Sequence, residues 1–316
     1  MPLLGKGKTP RVKQQYYMKK ILSSFSGKRA GRSFLAPTVL VLFALTIFPF
    51  FFSLWLTLSK VSLVGGLSID FVGLRNWARL FADERFWNAL SNTLLIVVIA
   101  VTVEYVLGLG LAILLSNTKI RGRGFFRILF LTPMMLAPIA VGYMGRMMFN
   151  YTRGPVNHIF PYLGLPAVGW LTNPETAIYS IILMDVWQWT PLMFLILFAG
   201  LETIPSGFFE AARVDGASRW QLFRYIIFPL LAPASIAAIL LRVLETFKIM
   251  DTIYIMTGGG PGISTESMTL FGYSIGLTAF DLAYGSTIAF SLFIIVLVIS
   301  IVLLLMTRRF QELTLQ

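Results

Sequence analysis

Long uncharged apolar runs constrain this chain more than any other feature. From Ser33 to Ser59 no side chain is ionisable. A spanning helix needs about 20 mostly apolar residues, because the hydrocarbon core is about 30 Å thick and each helical residue rises about 1.5 Å. Charged residues bound six such runs: about Phe34–Leu58, Ala89–Leu115, Ile128–Phe149, Ala177–Leu201, Tyr225–Phe247 and Gly285–Met306. Only helices or closed barrels satisfy their backbone groups in lipid. The runs are too long and continuous for barrel strands of about 9–11 alternating residues. The expected fold is therefore an all-α membrane protein, a bundle of six transmembrane helices.

Composition agrees. Of 316 residues, 57% are hydrophobic and 13% charged, against about 45–50% and about 25% in soluble domains. The loops are too short to hold a soluble domain. His158 is the one histidine and cysteine is absent, which excludes disulfides, thiolate or multi-histidine metal sites and a cysteine nucleophile.

The net charge of +12 is unevenly placed. Residues 1–33 carry Lys6, Lys8, Arg11, Lys13, Lys19, Lys20, Lys28, Arg29 and Arg32 and no acid. A basic run beside a span fits a cytoplasmic flank near anionic lipid. No aromatic platform or helix-turn-helix pattern accompanies it, so no nucleic-acid partner is expected. Its length, without a small-residue cleavage pattern, argues for a retained first helix over a signal peptide. With the N-terminus inside, the inner segments hold 18 Lys and Arg and the outer ones seven. The positive-inside rule then puts both termini in the cytoplasm. The chain divides into a basic tail (1–33), a membrane domain (34–307) with an inner loop at 202–224, and a short cytoplasmic tail (308–316).

The loops differ in kind. Residues 59–88 contain Phe71, Phe81, Phe86 and Trp87 and read as an interfacial helix with an aromatic face. Residues 150–176, with Gly154, Pro155, Pro161, Gly164 and Pro166, read as a structured loop. Segment 248–284 carries Gly258, Gly259, Gly260, Pro261 and Gly262; such backbone lines a cavity or lies at the surface.

The inner loop is the most informative stretch. Glu210-Ala211-Ala212-Arg213 reads as a short helix whose alanines let another protein approach closely. Asp215-Gly216 is a helix stop, Ala217 follows it, and a second helix leads into the fifth span, which Pro229 bends or starts. Glu210 and Arg213 share a face at i,i+3.

This stretch resembles the EAA motif of ABC-importer permeases: E-A-A, three residues, G, then I-x-x-P, here Glu210-Ala211-Ala212, Gly216 and Ile226-Ile227-Phe228-Pro229. The flanks resemble the carbohydrate branch, similar to maltose- and glycerol-phosphate-type permeases. They are Asp185-Val-Trp187-Gln-Trp189-Thr190-Pro191, Gly200-Leu-Glu202-Thr-Ile204-Pro205, Thr257-Gly-Gly-Gly-Pro261-Gly262 and Phe71-Val-Gly73-Leu74 with Asn76. The resemblance covers residues 34–307. It implies a type I importer permease of the inner membrane and a second, paralogous permease beside it. It also implies two ATP-binding-cassette ATPases beneath, which bind ATP and Mg, and an extracytoplasmic solute-binding protein that delivers a carbohydrate. Residues 210–217 would form a coupling helix in a groove of the ATPase, with Glu210 accepting a bond from a basic ATPase residue and Gly216 permitting the turn.

This chain itself lacks nucleotide chemistry. Gly7-Lys8-Thr9 has proline where a phosphate loop needs its first glycine, at position 2, and Gly108 and Gly110 meet Ile113 where a dinucleotide fingerprint needs glycine. Those two glycines are expected to aid helix packing. No cofactor, metal or catalytic residue is expected.

Ionisable residues inside spans usually face a bundle interior or cavity. Glu104, Asp185, Arg242 and Glu245 lie in spans. Arg242 and Glu245, at i,i+3, read either as an internal ion pair or as pathway lining; Lys248 snorkels or joins them. Trp187 and Trp189 cannot point the same way, and Trp189 shares a face with Asp185, which favours it for stacking on a sugar. Asp185, Trp187, Trp189, Glu245, Lys248, Asp251 and Gly259 are the substrate-pathway candidates. Asn150-Tyr151-Thr152 is a glycosylation sequon, and His158 reads as a solvated loop residue. Two rival readings carry other marks. A secondary carrier needs inverted repeats and paired membrane carboxylates. A membrane enzyme needs clustered acids, whereas Asp70, Asp83, Glu84, Glu175, Asp251, Glu266 and Asp281 are scattered.

Overall fold

The computed structural model describes residues 28–62, 66–116 and 123–314, with side chains from 34 to 305 apart from Arg123. Most of the basic tail, and Lys119 and Arg121, lie outside the described residues. The chain forms two compact units, residues 1–55 and 56–316.

The first unit is, among the described residues, helix α1. It runs through Lys28–Leu42, a π-helical turn at Phe43–Ile47 and Phe48–Thr57, its last two residues belonging to the second unit. Pro49 explains the wide turn. A proline ring collides with the carbonyl four residues back and offers it no N–H. The chain therefore widens just upstream, and the Phe48 N–H reaches back five residues to the Phe43 carbonyl.

The second unit opens with a hairpin, β1 (Ser59–Ser62) antiparallel to β2 (Ser68–Phe71), with Lys60 opposite Asp70. Helix α2 (Arg75–Ala82) follows. Asn76 fastens it to the chain ahead of it, donating from Nδ2 to the carbonyls of Thr57 (3.0 Å) and Ser59 (2.8 Å). The aromatic face expected here is only partly present: Phe71, Phe81 and Trp87 are exposed, but Phe86 is buried with Leu80 and Tyr284.

Then come the long helices: α3 (Glu84–Ser116), α7 (Pro174–Glu202), α9 (Arg219–Thr246) and α12 (Leu282–Thr314). With α1 they are, among the described residues, the five helices long and apolar enough to cross a membrane. The third expected span is not one helix. α4 (Arg123–Leu131) passes through a 3-10 turn at Pro133–Met135 and meets α5 (Pro138–Met148) at a bend of 95°. Pro133 and Pro138 break the backbone ladder. Leu136 and Ala137 turn extended between them. Gln188 of α7 donates a 2.9 Å bond to the freed Leu136 carbonyl. Counting the bent pair as one span gives six.

Of the spans, α7 is the most enclosed: its apolar window is 61% buried, against 17% for α12. Apolar burial drives little association in lipid, so close approach matters more. Gly108 of α3 supplies it, because a Cβ there would lie 2.9 Å from the Phe194 nitrogen of α7. Gly110 meets nothing within 4 Å, so the packing role expected of both glycines falls to Gly108 alone. Gly200 of α7 does the same toward α9, where a Cβ would lie 2.6 Å from Ala234 Cβ.

The remaining elements are short: α6 (Pro155–Ile159), α8 (Ser206–Val214), α10 (Asp251–Met256) and α11 (Met268–Tyr273). Loop 150–173 is built around buried Asn157. Its amide donates to the carbonyls of Tyr151 and Val168 and accepts from the Val168 N–H and Trp170 Nε1. His158 beside it is exposed.

Candidate functional site

The segment between α7 and α9 is built by consecutive capping motifs. α7 ends at Glu202, and α8 runs from Ser206 to Val214. Gly216 follows with φ +70°, a conformation glycine adopts without a steric penalty. There the Ala217 N–H reaches the Ala212 carbonyl at 2.9 Å and the Gly216 N–H reaches Arg213 at 3.2 Å. This pair of bonds is the Schellman stop, which satisfies carbonyls the helix end would leave bare. One residue later a capping box starts α9: Ser218 Oγ accepts from the Gln221 N–H at 3.3 Å, and the Ser218 N–H donates to Gln221 Oε1 at 2.8 Å. α9 then contains a second π-helical turn, Phe223–Ile227, upstream of Pro229. Pro229 thus lies inside a continuous helix that begins at Arg219, and widens it without starting it.

This segment presents itself outward. Ala212 is its one buried residue between 205 and 221. Glu210, Ala211, Arg213, Asp215, Gly216 and Ala217 are exposed, and Val214, Trp220 and Tyr225 are 88%, 68% and 72% exposed. Phe208, Ala211, Gly216, Gln221 and Tyr225 are among the residues lining a recess of about 410 Å³. A fixed two-helix corner with small residues, apolar side chains and charges of both signs has the form of a protein-docking surface.

A second constellation lies deep among the spans. Arg242 of α9 forks onto Glu104 of α3, with Nε to Oε2 at 2.6 Å and Nη2 to Oε1 at 2.8 Å. The same Nη2 donates to Asp185 Oδ2 of α7 at 2.8 Å. The three side chains are 1%, 0% and 5% exposed. Of the two readings of Arg242 and Glu245, their pairing removes the internal ion pair: Arg242 faces the bundle, whereas Glu245 is exposed and pairs with Lys248 at 2.8 Å. Two carboxylates on neighbouring helices satisfy a buried guanidinium better than one surface acid on its own helix, since an unpaired charge in lipid is costly. All three residues stand out in the sequence as ionisable groups within spans; one cation opposite two acids is the signal that joins them. Tyr105 Oη to Ser235 Oγ, 3.1 Å, adds a further tie between α3 and α9.

The other pathway candidates separate. Trp189 is half-buried with the Arg242 guanidinium 5.1 Å from its ring centre. Trp187 is 41% exposed and lines an apolar groove of about 610 Å³ beside the 95° bend, with Leu107, Pro133 and Leu136. Asp251 is exposed in the first turn of α10. Gly259 is buried at φ +95° within a loop that is pinned on several sides. Arg85 of α3 forks onto Glu266 at 2.8 and 2.7 Å, and Asn88 and Asn92 bond the Ile263 carbonyl. Thr265 Oγ1 bonds the Gly260 carbonyl at 2.8 Å. No group of three or more potential metal-ligating side chains occurs among the described residues.

Known proteins share this architecture. Residues 104–314 match the family model described as "Binding-protein-dependent transport system inner membrane component". The trehalose/maltose transport permease MalF of Thermococcus litoralis is 36% identical over 284 residues, covering 89% of this chain and 94% of that protein. The trehalose transport permease SugA of Mycobacterium tuberculosis is 33% identical, covering 89% of each. The sulfoquinovosyl glycerol transport permease SmoG of Agrobacterium fabrum is 34% identical, covering 87% and 89%. A crystal structure of a bacterial ABC transporter for alginate import superposes with TM-score 0.79 at 20% identity, covering 92% of this chain and 99% of that one.

Proposed function

Because the chain belongs to the family of binding-protein-dependent transport system inner membrane components, we propose that it is the carbohydrate-conducting permease subunit of an ATP-driven importer. It is a pore subunit and not itself an ATPase. Two ATPase subunits bind and hydrolyse ATP with Mg below it, a second and paralogous permease completes the pore, and an extracytoplasmic binding protein delivers the solute. The excess of Lys and Arg in alternate loops supports an orientation with both termini in the cytoplasm. That orientation turns residues 203–218 inward and the Gly258–Gly262 loop outward.

One observation carries the mechanism: an exposed, doubly capped corner joins the two helices α7 and α9 at the core of the bundle. Glu210, Ala211, Ala212, Arg213, Asp215, Gly216 and Ala217 form the contact with the ATPase. Ala211 allows close approach and Glu210 offers a charge-assisted bond. Pro229 and the π turn before it set the course of α9 into the bilayer. Closure of the ATPases then rocks the bundle between inward- and outward-open states. Trp187, with its exposed ring, and the outer-end residues Glu245, Lys248, Asp251 and Gly259 are the parts of the route nearest the solute. Asp185 and Trp189 act behind it, through Arg242. The relatives named for trehalose and maltose make these disaccharides the first solutes to test.

The test is uptake in proteoliposomes containing the full complex and binding protein. Glu210→Ala and Gly216→Pro should abolish ATP-driven uptake while the chain still reaches the membrane. Normal uptake with either substitution would remove the coupling assignment. Uptake that persists without ATPase and stops on collapse of an ion gradient would favour a secondary carrier.

A further inference from the structure

The Glu104–Asp185–Arg242 triad is placed to do more than neutralise charge. Asp185 lies on α7 and Arg242 on α9, and these two helices are the arms that leave the 203–218 corner. Asp185 is 17 residues before Glu202, about 25 Å along the helix, and Arg242 is 23 residues after Arg219, about 34 Å. The corner joins the arms at one end and the Asp185–Arg242 bond joins them at the other. Between the two, Gly200 seats Leu231 and Ala234 against α7. The hairpin 185–242 is thereby closed at both ends. Glu104 holds the same guanidinium from α3, which does not adjoin the corner.

Resting on the importer reading, we propose that Asp185 and Arg242 are positioning residues for transport. Their bond clamps α7 to α9, so that a displacement of the 203–218 corner crosses the bilayer as the motion of one body. Glu104 balances the buried guanidinium and is not part of the clamp. The two carboxylates therefore have separable roles, although both touch Arg242.

The role predicts an order of effects opposite to a purely structural one. Both acids are buried, but Glu104 makes the bidentate contact and Asp185 a single bond, so on stability grounds Glu104→Leu should be the worse variant. Each single acid replacement leaves one Arg–carboxylate pair with no net charge, which favours folding of both variants. Asp185→Val removes the link between the arms, and Glu104→Leu leaves it.

The experiment uses the complete complex in proteoliposomes with its binding protein and trehalose or maltose. Solute moved per ATP hydrolysed is measured for assembled complex, beside its thermal midpoint. Asp185→Val should lower solute per ATP about tenfold, within the range usual for coupling between sites, while ATP hydrolysis continues and loses its dependence on the binding protein. Glu104→Leu should keep solute per ATP within about twofold of wild type, even with the lower midpoint. Equal coupling in Asp185→Val and wild type would overturn the clamp, as would a larger coupling loss in Glu104→Leu. Should Asp185→Val not assemble, Asp185→Asn weakens the same bond and must show the same direction of effect. A wild-type complex without binding-protein-dependent uptake would instead sink the importer reading, an outcome distinct from any ranking of the two variants.

Discussion

Gln188 Nε2 donates to the carbonyl of Leu136 at 2.9 Å, joining the most enclosed helix to the break in the third span. Gln188 is 1% exposed, and the carbonyl it serves belongs to Leu136, which is extended at the break and so outside helical bonding. In lipid such a group has no water to turn to. Gln188→Leu should therefore destabilise the protein by roughly 1–3 kcal/mol, the usual cost of stranding a buried polar group. Thermal unfolding in detergent measures it; an unchanged midpoint would mean that the carbonyl finds another donor.

Two glycines give a matched contrast in helix packing. A side chain on Gly200 would meet Ala234 Cβ at 2.6 Å and Leu231 Cδ1 at 2.8 Å, whereas one on Gly110 would meet nothing within 4 Å. Gly200→Leu should force α7 and α9 apart and lower the yield of folded protein. Gly110→Ala should be neutral or stabilising by up to about 1 kcal/mol, the helix-propensity gain. Monodisperse yield after purification compares them, and equal behaviour would contradict the α7–α9 contact.

The outer glycine loop is held from α3. Arg85 pairs bidentately with Glu266, whose side chain is 5% exposed. Glu266→Gln loses the ionic part of that contact and should raise amide hydrogen exchange across 257–267, with little change in α7. Unaltered exchange in the loop would show that Asn88, Asn92 and Thr265 suffice.

At the inner corner, the φ of +70° at Gly216 sets a graded series. Gly216→Asn should keep most uptake, because asparagine tolerates the left-handed region. Gly216→Val should lose it, because a β-branched side chain does not. Equal uptake from the two would mean that the Schellman turn is dispensable.

Much of this architecture is legible in the chain. Charge-free runs reveal the helices, and the alanine pair with Asp215-Gly216 reveals the corner, because caps and apolar length are local properties. The bend in the third span is obscured by its apolar composition, which continues through the break. Only the pairing of Pro133 with Pro138 hints at it. The hairpin at Ser59–Phe71 lies in a segment whose aromatic residues suggest an interfacial helix. The triad is hidden for a different reason: Arg242 has an acid three residues away on its own helix, and its actual partners are 57 and 138 residues distant. Helix spacing favours the near acid, while helix rotation decides that Arg242 faces inward and Glu245 outward.

In the proposed importer, residues 203–218 are covered by the ATPase subunits. The chain has no cysteine, so Ala211→Cys creates a unique thiol on an exposed face of α8. Its labelling by a membrane-impermeant maleimide is followed in inside-out vesicles, with and without the ATPase subunits. Rapid labelling of the permease is expected without ATPase, and strong protection when ATPase is bound. Equal labelling in both states would contradict it.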